Sequence, residues 1–199
     1  MKPLRTFIAA DIPLPLQQAM QSHVDTLRLT LGDLVRWVPV KNIHLTLKFL
    51  GDVSPASVEL LTQMLRAEAD SCPPFDISIG GLGSFPNSKR ARVLWVGIQA
   101  PAELEALQRG VESACVRLGY ASDARPFSPH LTIGRVRERI SPADQQKIHK
   151  ALEEITIDSL GAARVDSIHL YKSDLKPGGS LYTKLFSAPL NPQRRLYPA

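Results

Sequence analysis

Apolar positions recur at helical spacing in some stretches of this chain, and alternate or run in short blocks in the segments between. Leu16, Met20, Val24, Leu27 and Leu31 fall on one face of a helix that starts near Leu14 and is closed by Gly32 and Asp33. Leu104, Leu107, Val111, Cys115 and Leu118 do the same over Ala102–Leu118, and further helices are predicted from Pro55 to about Asp70 and from Pro142 to Glu154. Strands are predicted at Thr6–Ala10, Val35–Val38, Ile43–Leu50, Phe75–Leu82, Val93–Ile98, near His130–Val136, at Val165–Lys172 and at Ser180–Ser187. The segment Ser84–Arg90 reads as a polar turn, and the Pro-rich tail from Pro189 onward as extended chain.

These elements repeat. His44-Leu-Thr-Leu is followed by Ser54-Pro-Ala opening a helix, then a strand, a polar turn and a strand. His130-Leu-Thr-Ile is followed by Ser141-Pro-Ala and the same succession. The offset from histidine to serine is ten residues in one copy and eleven in the other. Ser at the N-cap with Pro at the first helical position is a sound helix start on its own. Two such starts at matched offsets from two His-Leu-Thr segments indicate a duplicated β-α-β-β unit. The expected organisation is one bilobal domain over residues 1–199, with pseudo-repeats at about 43–98 and 129–187.

Composition narrows the class without choosing a function. The 199 residues are 44% hydrophobic and 22% charged, ordinary for a water-soluble globular protein. The net charge of +5 favours polyanionic partners such as RNA. Phe7–Ala10 is interrupted by Asp11, Pro13 and Pro15 and is too short for a signal-peptide core, and no window reaches the ~18 apolar residues of a membrane span. Cys72 and Cys115 have no CxxC or Cys/His metal spacing, so buried or incidental thiols in a reducing compartment are expected. A cytoplasmic protein without a membrane partner is the expectation.

Side chains of a strand alternate between faces, so His44 and Thr46 share one face and Leu45 and Leu47 the other. His130 and Thr132 share a face in the same way, with Leu131 and Ile133 behind them. Each motif thus sets an imidazole beside a hydroxyl on a rigid element anchored in a core. A single H-x-T arises by chance at roughly one position in a thousand at ordinary usage; two copies with Leu at the centre, both on predicted strands, point to function. Hydrolysis of a phosphodiester needs one group to take a proton from water and another to protonate the departing oxygen. Histidine suits both tasks near neutral pH. The threonine hydroxyls would donate to non-bridging oxygens. No metal or other cofactor is required, and no HExxH-like or Cys-rich spacing suggests a zinc site.

His23, His149 and His169 read as structural or solvated. Cationic help for a phosphate would come from Lys48, which strict alternation places on the face of His44 and Thr46, or from Arg135. Alternation turns Arg135 away from His130 unless Gly134 allows a bulge or bend. Lys89, Arg90 and Arg92 cluster around a turn and read as solvated surface.

Arg5-Thr-Phe-Ile-Ala, Asn42-Ile-His-Leu-Thr-Leu-Lys-Phe-Leu-Gly51, Phe85-Pro-Asn, Arg92-Val-Leu-Trp95 and Phe127-Ser-Pro-His-Leu-Thr-Ile-Gly-Arg135 together resemble the two-histidine (2H) phosphoesterase superfamily. Within it they are most similar to the bacterial RNA 2′,3′-cyclic phosphodiesterases, the 2′-5′ RNA ligase-like or LigT-like family, over nearly the whole chain. The resemblance implies an α+β bilobal fold: two antiparallel sheets related by pseudo-twofold symmetry, with outer helices and a central cleft. It also implies roles. His44 would give a proton to the 3′ oxygen, His130 would activate water, and the product would be a 2′-phosphate. Thr46, Thr132 and Arg135 would hold the phosphate. The substrates would be RNA with 2′,3′-cyclic phosphate ends or small cyclic nucleotides, and the enzyme a monomer. Which histidine is acid and which is base comes from the resemblance alone. Two other readings fit the residues: ATP-independent joining of RNA ends through a 2′-5′ linkage, and a non-catalytic module that binds RNA ends.

Overall fold

A computed structural model of the chain describes residues 2–176 and 179–194. In chain order its elements are β1 (Leu4–Asp11), α1 (Leu14–Leu31), β2 (Val35–Trp37), β3 (His44–Val53), α2 (Val58–Asp70), β4 (Phe75–Phe85), β5 (Val93–Gln99), α3 (Ala102–Arg117), β6 (His130–Val136), α4 (Pro142–Glu154), β7 (Gly161–Val165), β8 (Ser167–Lys176) and β9 (Gly179–Pro189). Single 3₁₀ turns precede β2, β3, α2 and β5.

The helices start and stop where local chemistry dictates. The five positions of the predicted apolar face of α1 are all buried, and Gly32 ends it with a φ of 50°, a backbone conformation that residues with a side chain rarely adopt. At α4, Ser141 Oγ accepts from the Asp144 N–H at 3.1 Å and the Asp144 carboxylate accepts from the Ser141 N–H at 3.0 Å, a reciprocal cap. In the first repeat, Ser54 accepts only from the Ala56 N–H, and Pro55–Ser57 forms a 3₁₀ turn before α2 begins at Val58.

All strand pairings are antiparallel, in the order β7-β4-β5-β6-β3-β1-β8-β9, with β2 added on β6. The two expected sheets are halves of this one curled sheet. They meet where β3 pairs with β6 through Leu45 opposite Leu131. The halves do not coincide with the sequence repeats. The β4–β5 hairpin follows α2 in the chain but docks on β6, while β8–β9 follows α4 but docks through β1 on β3. The two β-α-β-β units have exchanged their hairpins. Helix α2 lies against β8, β9 and α3, and α4 lies against α1.

The strand β7 has no counterpart in the sequence, where a strand is expected to begin at Val165; the strand is interrupted at Asp166, between β7 and β8. Beyond β9, Leu190 and Asn191 donate to the carbonyls of Asp166 and Cys72, and a turn at Asn191–Arg194 replaces extended chain. The rest of the expected extended tail lies outside the described residues. Both cysteines are free and buried, and burial pushes their thiols up to about 11. Among the described residues no helix is long and apolar enough to cross a membrane.

Candidate active site

The fold brings His44 and His130 to the middle of the sheet from residues far apart in the chain. The residues behind them, Leu45, Leu47, Leu131 and Ile133, are all within 3% of full burial, so each motif is fixed from the back. Antiparallel pairing of Leu45 with Leu131 sets His44 on the side of Thr132 and Thr46 on the side of His130. The two imidazoles and two hydroxyls are therefore interleaved.

Both rings are held alike. His44 Nδ1–H donates to the Asn42 carbonyl at 2.8 Å, and His130 Nδ1–H donates to the Ser128 carbonyl at 2.7 Å. An acceptor two residues upstream fixes the tautomer in each case and leaves Nε2 for chemistry. Asn42 is itself anchored, its side-chain amide donating to the Ser180 carbonyl of β9 at 2.8 Å.

Aromatic rings line both sides. Phe7 stacks on His44 with centroids 4.6 Å apart and on Tyr171 at 5.3 Å, and Tyr182 meets His44 edge-on at 5.3 Å. Phe85 meets His130 edge-on at 4.9 Å, with Trp95 beyond it at 6.5 Å. These contacts come from β1, β4, β5, β8 and β9, so no local pattern near either histidine marks them.

Burial lowers the pKa of both histidines below the ordinary range. The Asn42 and Ser128 carbonyls work against that shift, and Arg135 adds to it at both rings. The charged neighbours of the two rings differ, and at His44 the His130 ring adds a further lowering influence. Asp11, the register partner of His44 in β1, favours the protonated form of that ring. Its carboxylate accepts from the Tyr171 hydroxyl at 2.5 Å and from Lys184 Nζ at 2.9 Å, with His169 Nε2 3.4 Å away. Burial alone would raise the Asp11 carboxyl, but the bonds from Tyr171 and Lys184 outweigh it and hold the group below the usual carboxylate range. Beside His44 a cavity of ≈ 290 Å³ opens, lined by Asp11, Gln17, Lys41, Asn42, Tyr171 and Tyr182.

Two bulges decide which cations reach the site. In β3 the register passes from Thr46 opposite Ala9 to Lys48 opposite Ile8, leaving Leu47 without a partner. In β6 it passes from Thr132 opposite Trp95 to Gly134 opposite Leu94, leaving Ile133 without one. Each bulge reverses the alternation beyond it. Lys48 is consequently not on the face of His44, contrary to the expectation from strict alternation. It is 1% exposed, and its ammonium contacts Glu112 at 2.8 Å, Asp123 at 3.2 Å and the Ala121 carbonyl at 2.8 Å. The same device turns the exposed Arg135 back toward His130 and Thr132. Phe49, 59% exposed, occupies the corresponding place in β3.

His149 pairs with Glu153 on α4 at 3.4 Å, away from the site, and His169 is buried behind Asp11. The cluster around Asp11 was missed in the sequence, where Asp11 served only as a break in an apolar run.

A family model described as the 2'-5' RNA ligase superfamily matches residues 14–177. The RNA 2',3'-cyclic phosphodiesterase of Methanothermobacter thermautotrophicus is 34% identical over 185 residues, covering 92% of this chain and 96% of its own. That of Escherichia coli is 30% identical over 189 residues, covering 92% and 95%. Among solved structures, TT0787 of Thermus thermophilus shares the fold with a TM-score of 0.80 at 24% identity, over 96% of this chain and all of its own. E. coli LigT complexed with 3'-AMP superposes with a TM-score of 0.74 at 27% identity, over 94% and 98%.

Proposed function

Since this chain belongs to the 2'-5' RNA ligase superfamily, we propose that it hydrolyses 2′,3′-cyclic phosphate ends of RNA to 2′-phosphomonoesters by two-histidine acid–base catalysis. The observation that carries the reading is the interleaved pair of identically oriented imidazoles, one from each half of the sheet, meeting at Leu45 and Leu131.

The cyclic phosphate sits between the rings. His130 Nε2, neutral, takes a proton from a water that attacks phosphorus. As the bond from phosphorus to the 3′ oxygen breaks, protonated His44 Nε2 gives its proton to that oxygen. The 2′ oxygen keeps the phosphate. Water is consumed, and the two histidines exchange protonation states, to be reset through solvent. Thr46, Thr132 and Arg135 bind non-bridging oxygens, whose charge grows as water adds. Asp11 favours the protonated form of His44, whereas the influences on His130 are burial, the Ser128 carbonyl and Arg135. That carboxylate acts against burial, Arg135 and His130, all of which disfavour a protonated His44, so the assignment of His44 as the acid rests on the resemblance to the family.

The reading includes a cytoplasmic enzyme acting as a monomer on RNA ends or small cyclic nucleotides. Free, buried cysteines suit a reducing compartment, and one chain contributes both histidines. Incubating a defined oligoribonucleotide bearing a 2′,3′-cyclic phosphate with the protein in excess chelator, then separating the products, tests it. The expected product is a 2′-phosphate; a 3′-phosphate or an unopened ring would overturn the reading.

A further inference from the structure

On β2, Arg36 stands directly opposite Arg135 of β6. Val35 is buried, and Trp37 donates its indole N–H to the Gly32 carbonyl at 3.1 Å and lies under the Arg28 guanidinium, on the α1 side. Alternation therefore sends Arg36 to the opposite face, which carries Arg135, Thr132 and His130. Both arginines are exposed, and among the described residues neither forms an ion pair. Like charges directly opposite in a sheet destabilise it unless something anionic lies between or over them. The arrangement lacks a counterpart in the other half, where Phe49 takes the place of Arg135.

We propose that Arg36 forms a second phosphate subsite for the phosphodiester linking the terminal nucleotide to its 5′ neighbour, so that the enzyme prefers oligoribonucleotide ends to cyclic mononucleotides. This rests on the phosphodiesterase reading above. Arg135 belongs to the cyclic phosphate between the histidines. Arg36 lies one strand separation beyond it, about 4.8 Å, and its flexible stem carries a planar fork suited to phosphate oxygens. A cyclic mononucleotide has only the phosphate that Arg135 serves. A dinucleotide with a cyclic end has the next one as well, and the Arg36–Arg135 repulsion is then relieved at both guanidiniums.

The test compares wild type with Arg36→Gln and Arg36→Lys on adenosine 2′,3′-cyclic phosphate and on the ApA dinucleotide ending in a 2′,3′-cyclic phosphate. For Arg36→Gln the expected result is about a tenfold loss of kcat/KM on the dinucleotide, carried by KM, with the mononucleotide unchanged. The slope of log kcat/KM against log salt on the dinucleotide should fall by about 0.7, as for one phosphate contact on a single strand. Arg36→Lys should restore part of the loss. Thermal unfolding of Arg36→Gln should be no lower than that of wild type, because a repulsion has been removed. Equal losses on both substrates, or none on either, would overturn the Arg36 subsite while leaving the phosphodiesterase reading in place. Failure of the wild-type enzyme to open either ring would overturn both.

Discussion

Leu45 and Leu131, the central residues of the two His-Leu-Thr segments, are register partners across the seam of the sheet. The contact that joins the halves is thus built from the same two tripeptides that carry the proposed catalytic histidines. Both leucines are fully buried, so the spacing of the two imidazoles is set by packing and not by a loop. Each histidine has the other motif's threonine as its neighbour across the seam.

Replacing either His44 or His130 with Ala should lower kcat on a 2′,3′-cyclic dinucleotide by about 10²- to 10⁴-fold, the range for a lost acid or base. Circular dichroism should show both variants folded. Wild-type turnover by either folded variant would refute the assignment.

The pH dependence of kcat/KM should be bell-shaped, because the proposed mechanism needs His44 protonated and His130 neutral. Raising pH removes the first proton and lowering pH adds the second. Burial holds both pKa values below the ordinary ~6.5, so the maximum should fall on the acid side of that value. Asp11→Asn removes a charge that favours protonated His44 and should move the alkaline limb to lower pH. A maximum above pH 7, or no movement in Asp11→Asn, would count against this electrostatic account.

Lys48→Ala should act on stability before activity. It strips the ammonium from Glu112 and Asp123 and leaves a void on the inner face of β3. The expected cost is about 3 kcal/mol, and the accompanying fall in Tm is roughly 5–10 °C. Below the transition, kcat/KM should stay within a few-fold of wild type. A hundredfold loss of activity in the folded variant would instead restore Lys48 to the phosphate.

Gly134→Ala tests the β6 bulge. An added Cβ would lie 2.5 Å from Val35 Cγ1 and 3.3 Å from the Trp37 ring. Overpacking of this kind costs about 1–3 kcal/mol, and relief requires β2 and β6 to separate or the bulge to shift. Either response displaces Arg135, so KM should rise along with the loss of stability. An unchanged KM would show that the bulge does not place that guanidinium.

The helices and both histidines were legible because their signals are local: a 3.6-residue period, Ser-Pro starts, and a tripeptide that occurs twice. Single-residue bulges are not local in that sense. Nothing in His44-Leu-Thr-Leu-Lys announces that Leu47 will lack a partner, and one unpaired residue was enough to turn Lys48 inward and Phe49 outward. Arg135 was legible only as a conditional, through Gly134. Phe7, Tyr171, Tyr182 and Asp11 reach His44 through pairings between distant strands, and no periodicity within one segment encodes those. The strand β7 escaped notice because Gly161-Ala-Ala has little strand preference.

The exchanged hairpins also constrain how the molecule comes into being. The strand that carries His44 is complete once residue 53 has been made, yet β8 and β9, which extend its half of the sheet through β1, are made only after β6 and α4. Until then β1 lacks one of its two partners, and Asp11 lacks Tyr171 and Lys184. During vectorial synthesis the proposed catalytic centre is therefore among the last things to form, since its long-range pairings must wait for the chain through β9.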